Sequence, residues 1–125
     1  MTYKLTWEDK GVYCKITGIT SIKEIKQEFL SICEDERFNE IHYYILDCSE
    51  VESVSFNDAK DADNITGAFL LFNSYNLLSK FALIGTTPNL VKGFELFIKT
   101  VNEVDSGWDI RIFDTEKEAR NWIDQ

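Results

Sequence analysis

The chain opens with two short segments in which apolar and polar side chains alternate. Tyr3, Leu5 and Trp7 are separated by polar residues, and residues 12–16 repeat this alternation after a turn that contains Gly11. A period of two is typical of a strand with one buried face, and a glycine-containing turn between two such segments indicates a hairpin. We therefore predict an antiparallel β-hairpin at the start of the domain.

After the hairpin, segments with helical spacing alternate with short apolar runs. Hydroxyl residues with capping potential lie at the starts of the helical segments: Ser21, Ser55, Thr87 and Thr115. The apolar runs of four to six residues between these segments are typical of buried strands. The predicted strands are residues 41–46, 81–84 and 108–113. The predicted helices are residues 21–35, residues 55–77, a helix that starts at Pro88 with a buried stripe of Val91, Phe94, Ile98 and Val101, and a closing helix capped by Thr115.

This order, ββαβαβαβα, predicts a single α/β domain over residues 1–125. Parallel strands joined by helical crossovers need helices on the sheet faces. We expect a mixed five-stranded sheet with an antiparallel N-terminal hairpin and four helices packed on it.

Composition and charge exclude several classes of function. The chain has 13 basic and 22 acidic residues and a formal net charge of -9, which disfavours nucleic-acid binding. Three cysteines and one histidine are too few for a structural zinc site, and reduced thiols predict a cytoplasmic protein. The longest strongly apolar run, residues 67–72, is far shorter than the ~20 residues of a membrane span. No catalytic constellation, metal site or cofactor fingerprint is found, so we predict a protein that is not an enzyme.

Three segments resemble those of one known family. Residues 45–51 read ILDCSEV, residues 81–85 read FALIG, and residues 110–123 read IRIFDTEKEARNWI. In this order the segments resemble STAS domains (sulfate transporter and anti-sigma factor antagonist), and the SpoIIAA-like branch of that superfamily in particular. The resemblance spans essentially the whole chain. It implies a bacterial, non-catalytic module for protein interaction or regulation, and it also implies similarity to the CRAL-TRIO lipid-transfer fold.

The chain departs from the phosphorylated antagonists at one point. Those proteins carry a sequence such as Asp-Ser-Ser-Gly at the start of the helix that follows the central strand. Residues 54–58 here read VSFND, so Ser55 lies near the position of the regulated serine without the flanking Asp and Gly. The motif of the switch is therefore not carried over, and an anti-sigma factor antagonist regulated by phosphorylation of Ser53 or Ser55 is our third hypothesis.

Two turns at the carboxyl ends of predicted strands are candidate binding sites. Asp47 and Ser49 follow the first buried strand, and Thr86 and Thr87 follow the second. Ligand crevices of open α/β sheets lie at such ends, and free amides at a helix start can bind an anion. Each has a structural alternative, because Asp47 can bond the backbone amides that follow it and Thr87 can cap a helix.

The predicted helix 55–77 has an apolar arc wider than packing on a sheet requires. Ile65, Phe69 and Phe72 share one face. This face can bind a protein partner or a second copy of the chain, and the second case predicts a dimer. It can instead cover a cavity for a lipid or another apolar molecule. The structural alternative is that neighbouring elements bury it in the core. Docking on a membrane is disfavoured because the helix begins with acidic residues. Our leading interpretation is an interaction or regulatory module, and the alternative is a carrier of a small apolar ligand.

Overall fold

Five strands form one sheet in the computed structural model, which describes residues 2–55, 79–103 and 107–125. The sheet order is β1-β2-β3-β4-β5, with β1 antiparallel to β2 and every other neighbouring pair parallel. The predicted hairpin and the mixed five-stranded sheet are therefore confirmed. The strands are β1 (Thr2–Trp7), β2 (Gly11–Ser21), β3 (Tyr43–Ser55), β4 (Lys80–Ile84) and β5 (Asp109–Phe113).

The described residues contain three α-helices, and the predicted total of four is not matched. They are α1 (Ile22–Cys33), α2 (Pro88–Glu103) and α3 (Glu116–Ile123), and a short 3-10 helix spans Glu36–Glu40. The predicted helix 55–77, with Ile65, Phe69 and Phe72, falls outside the described residues apart from its first position. Within the described ranges, no helix combines the length and the apolar character needed to cross a membrane.

Two capping predictions are confirmed by hydrogen bonds. The Ser21 hydroxyl accepts from the backbone amide of Glu24 at 3.2 Å, and the Thr115 hydroxyl accepts from that of Glu118 at 3.2 Å. Each bond satisfies an amide that a helix start would otherwise leave unpaired. The start of α2 at Pro88 also agrees with the prediction.

Strand β3 is much longer than the predicted strand 41–46. It continues to Ser55, the capping residue of the predicted helix 55–77, and the rest of that helix lies outside the described residues. The extension is stabilised by β2, which pairs with β3 in parallel as far as Ser21 opposite Ser55. Gly18 has a φ of 89°, a backbone conformation that favours glycine, and it adjoins one of two register shifts in this pairing.

Helices α1 and α2 cover one face of the sheet and enclose the larger core. An aromatic cluster lies at its centre, where the rings of Tyr44 and Phe81 stack with centroids 4.5 Å apart and Phe29 packs against both. The buried stripe of α2 differs from the prediction. Phe94 and Val101 are buried as expected, whereas Leu90 is buried in place of Val91, and Ile98 is half-buried.

Helix α3 covers the other face. Ala119 and Trp122 of this helix are buried against Ile45, Ala82 and Ile84 of the central strands. The ammonium group of Lys80 bonds the carbonyl oxygens of Trp122 and Gln125, both at 3.0 Å. A cation at the carboxyl end of a helix satisfies carbonyls that have no partner within the helix, so Lys80 fastens the end of α3 to β4.

Two buried polar atoms lack a hydrogen-bond partner in the described part of the chain: Oε1 of Glu28 and the hydroxyl of Tyr44. Glu28 lies on α1 and is 5% exposed. Burial raises the pKa of its carboxyl, because the charged form loses its hydration.

Gly11 allows the aromatic ring of Tyr43 to lie directly on the backbone of β2. A Cβ atom at position 11 would be 2.2 Å from Cε2 of Tyr43. We predict that Gly11→Ala lowers the free energy of unfolding by about 1–3 kcal/mol, because the ring has to move. Urea denaturation measures this loss. In a Tyr43→Ala background the same substitution should cost little, and an equal cost in both backgrounds would contradict the explanation.

Candidate functional site

Asp47 is the buried polar centre of the face covered by α3. Its side chain is 2% exposed, and the hydroxyl of Tyr13 on β2 donates a hydrogen bond to Oδ2. The backbone amide of Ser49 donates to Oδ1 at 2.9 Å. Asp47 also forms the last β3–β4 pair, opposite Ile84. Both carboxylate oxygens are therefore occupied at the point where β4 ends.

Tyr13 connects this carboxylate to helix α3. Oε1 of Glu116 lies 3.3 Å from the Tyr13 hydroxyl oxygen, and the guanidinium of Arg120 lies over the Tyr13 ring at 5.2 Å. Burial, followed by the hydrogen bond to Asp47, raises the pKa of the Tyr13 phenol far above its ordinary value. Tyr13 therefore stays protonated and acts as a hydrogen-bond donor.

A second set of contacts joins the hairpin to α3. Arg120 binds Glu8 through both terminal nitrogens, with Nη1–Oε1 at 2.6 Å and Nη2–Oε2 at 2.7 Å. Tyr43 donates its hydroxyl to Oε1 of Glu8, and Arg120 Nε bonds Glu116 at 3.1 Å. The Arg120 hydrogen bonds lower the pKa of Glu8. We call Glu8, Tyr13, Tyr43, Asp47, Glu116 and Arg120 the polar network.

The structure corrects the sequence prediction at Asp47 and Ser49. Both were expected in a loop after a strand, but both lie within β3. The alternative prediction, a bond from Asp47 to a following backbone amide, is confirmed by the Ser49 contact. No local pattern indicated that Tyr13 would reach Asp47. The one visible signal for the network was the spacing of four between Glu116 and Arg120.

Ser55, Thr86 and Thr87 lie at the carboxyl edge of the sheet. Ser55 ends β3, and the two threonines lie between β4 and α2. The side-chain amide of Asn89 donates to the Val54 carbonyl oxygen at 3.0 Å, which brings the end of β3 to the start of α2. These three residues therefore share one edge, whereas the Asp47 carboxylate is directed towards α3 and belongs to the polar network.

An apolar cavity of about 70 Å³ lies between α1 and α2. Its lining is almost entirely carbon, and the lining residues on the helices and on strands β3 and β4 are Ile22, Ile25, Lys26, Phe29, Leu46, Phe81, Leu83, Gly93, Phe94 and Phe97. Ligand pockets for drug-sized molecules have volumes of about 300–1,000 Å³. The cavity is therefore suited to a small apolar group rather than to a whole acyl chain.

The thiols and the acidic groups form neither a nucleophile nor a metal centre in the described ranges. Cys14, Cys33 and Cys48 are buried and unpaired. Burial raises the pKa of all three, that of Cys14 to about 12, so the reactive thiolate is suppressed. Within residues 2–55, 79–103 and 107–125, no three His, Cys, Asp or Glu side chains are grouped as metal ligands.

The Glu8–Arg120 pair predicts how stability depends on pH. A carboxylate with a lowered pKa stabilises the fold above its unfolded-state pKa, and this contribution is lost as the pH falls through the folded-state value. We expect Glu8→Gln to cost about 1–2 kcal/mol at pH 7. The difference from the natural protein should shrink below about pH 4.

Denaturation with urea from pH 3 to pH 7 measures this difference. Asp9→Asn is the matched control, because it removes an exposed carboxylate from the same turn without touching Arg120. The interpretation fails if Glu8→Gln and Asp9→Asn have the same effect at pH 7.

Comparison with known proteins identifies structural relatives only. No protein-family model matches the chain, and no curated protein sequence does. An uncharacterised protein of the DUF3478 family from Shewanella loihica PV-4, with a SpoIIAA-like fold, superposes with a TM-score of 0.53 at 13% identity. That alignment covers 97% of this chain and 91% of the other. The anti-sigma factor antagonist SpoIIAA in its unphosphorylated form superposes with a TM-score of 0.57 at 12% identity, over 98% of both chains.

Both relatives are matched over nearly their full length. Identities of 12% and 13% support an inference about architecture and not about chemistry. The chain therefore has a SpoIIAA-like α/β fold.

Proposed function

We propose that this protein is a non-catalytic regulatory module that works by binding a protein partner. The observation that carries the proposal is the match to the anti-sigma factor antagonist SpoIIAA over 98% of the chain. Three unpaired thiols are typical of a reducing compartment, so we place this role in the bacterial cytoplasm. Because the same fold can host unrelated functions, the proposal also depends on what the described side chains can do.

The reactive groups of the described chain favour binding over catalysis. The Asp47 carboxylate is occupied by Tyr13 and Ser49, and the Tyr13 phenol stays protonated. The Glu8 carboxylate is occupied by Arg120 and Tyr43. A general base or nucleophile needs a free lone pair directed at a substrate, and these groups direct theirs at each other.

We propose the carboxyl edge of the sheet as the binding surface. Ser55 and Thr86 are exposed there, and the Asn89–Val54 contact fixes the end of β3 against the start of α2. Ser49 is also exposed but lies within β3, six residues before Ser55. Exposed hydroxyls on a backbone fixed in this way can bond a partner at a low entropic cost. The predicted contribution of Ile65, Phe69 and Phe72 lies outside the described residues and stays a prediction.

Affinity capture from the native cytoplasm tests this surface. We expect the natural chain to retain one protein in a stoichiometric amount. A bait carrying Ser55→Arg and Thr86→Arg should lose at least ~90% of it, since two long charged side chains then occupy the contact area. The control bait carries Asp109→Asn and Arg111→Gln, which removes an exposed ion pair from β5 at the edge strand.

The retained protein is then purified and titrated against all three chains by calorimetry. Binding by the natural chain and by the control, together with loss in the double-arginine variant, supports the proposal. Equal binding by all three chains would contradict the surface, and the absence of any stoichiometric partner would contradict the function.

The apolar cavity supports a second candidate function, the binding of a small apolar ligand. Its lining is the aromatic and aliphatic set that such ligands contact, and Gly93 leaves space between α1 and α2. A lipid would need the cavity to widen, because about 70 Å³ holds only a few carbon atoms.

Native mass spectrometry of the protein purified from cells tests the second candidate. A carrier should retain extra mass, and Gly93→Leu should abolish this mass by filling the cavity. Ile19→Ala, a change at an exposed apolar residue of β2, is the control. A natural chain that shows only its own mass, and that takes up no added fatty acid, would exclude a carrier function.

A further inference from the structure

Strand β1 has an open backbone edge in the described part of the chain. It is the first strand in the sheet order, and only β2 pairs with it among the described residues. The Glu8 amide donates to the Gly11 carbonyl oxygen at 2.8 Å, so position 8 faces β2. Inward and outward backbone groups alternate along an antiparallel strand. The amides and carbonyls of Tyr3, Leu5 and Trp7 therefore point away from β2.

This edge lacks most of the features that prevent strands from pairing. Its register against β2 is uninterrupted from Thr2 to Trp7, and it contains neither a bulge nor a proline. Its only charged side chain is Lys4, and Tyr3 is 48% exposed. The opposite edge, β5, is one residue shorter and carries the Asp109–Arg111 ion pair.

We propose that β1 is a self-association surface, on which two copies of the chain pair their β1 strands antiparallel about a two-fold axis. In the proposed register Leu5 lies opposite Leu5 of the second copy, and Tyr3 lies opposite Trp7. The backbone amides and carbonyls of Tyr3, Leu5 and Trp7 in each copy then form hydrogen bonds with those of the second copy. The two five-stranded sheets become one continuous sheet of ten strands.

The side chains select this register. Tyr3, Leu5 and Trp7 share the face covered by α1, so the pairing joins aromatic to aromatic and leucine to leucine. On the other face Lys4 lies opposite Thr6 of the second copy. Sliding the strands by one face-preserving step in one direction places Lys4 directly opposite Lys4, where like charges repel. Sliding them in the other direction leaves only residues 5–7 of the two β1 strands paired.

Charge and size make this dimer weak. Each copy carries a formal net charge of -9, so the two copies repel at long range. The β1 strand itself contributes only the positive Lys4, which leaves acidic groups out of the strand pair. A six-residue strand also buries less surface than a permanent interface does. Association should therefore depend on concentration and strengthen with added salt, which screens the repulsion.

Analytical ultracentrifugation of the full chain over a range of protein and salt concentrations tests the surface. We expect a monomer–dimer equilibrium, and Tyr3→Lys should weaken it at least ~10-fold because a charge replaces an aromatic contact twice in each dimer. Ile19→Lys is the matched control, since Ile19 is 67% exposed but lies beyond the end of β1.

Cysteine cross-linking tests the register. A 1:1 mixture of Lys4→Cys and Thr6→Cys chains should form a mixed disulfide, because positions 4 and 6 face each other as a closely spaced pair. Lys4→Cys alone should link poorly, and the native thiols are buried.

Three results would overturn the proposal. One is a monomer at every concentration, and another is efficient self-linking of Lys4→Cys, which requires the other register. The third is a dimer that survives Tyr3→Lys but is lost with Phe69→Ser, because the interface would then lie on the segment predicted as helix 55–77. The partner-capture experiment at the carboxyl edge is independent of all three.

Discussion

The arrangement of this domain depends on the pairing of β2 with two different neighbours. Along one edge β2 runs antiparallel to β1, and along the other it runs parallel to β3 from Gly11 opposite Tyr43 to Ser21 opposite Ser55. The second pairing places the ring of Tyr43 over Gly11 and brings Tyr13 to Asp47. Shifting β2 by one residue would reverse its faces, which would bury Lys15 and expose Cys14. The polar network and the larger core therefore depend on one register.

The termini of the described fold are held together by the same polar network. Glu8 lies in the hairpin turn and Arg120 in the last helix, and their contacts join the two ends of the sequence across the α3 face. Such a contact closes a loop of more than a hundred residues, and the sheet between the two residues holds the ends of that loop together.

Local signals in the sequence predicted most of the fold. Alternation identified the hairpin, and the hydroxyls of Ser21 and Thr115 identified two helix starts that hydrogen bonds confirm. The end of β3 was missed because residues 49–55 do not alternate. Only Val51 and Val54 are buried there, a spacing of three that arises from the register shifts against β2. A strand pattern distorted by its partner cannot be recognised from one strand alone.

The polar network was less predictable than the fold, because its contacts join residues far apart in the chain. Tyr13 and Asp47 are 34 positions apart, and Glu8 and Arg120 are 112 positions apart. A SpoIIAA-like sheet survives at 12% identity because many apolar sets fill the same two layers, whereas a specific polar contact depends on a few individual side chains.

Because all three cysteines are buried, their reactivity reports local opening of the core. Cys14 lies on β2, Cys48 on β3 and Cys33 at the end of α1, all within the core that α1 and α2 enclose. A thiol of this kind reacts with a water-soluble alkylating reagent only while its surroundings are open. The alkylation rates of the three positions, resolved by peptide mapping, therefore compare how often the core opens around the strands that carry Cys14 and Cys48 and around the carboxyl end of α1 that carries Cys33.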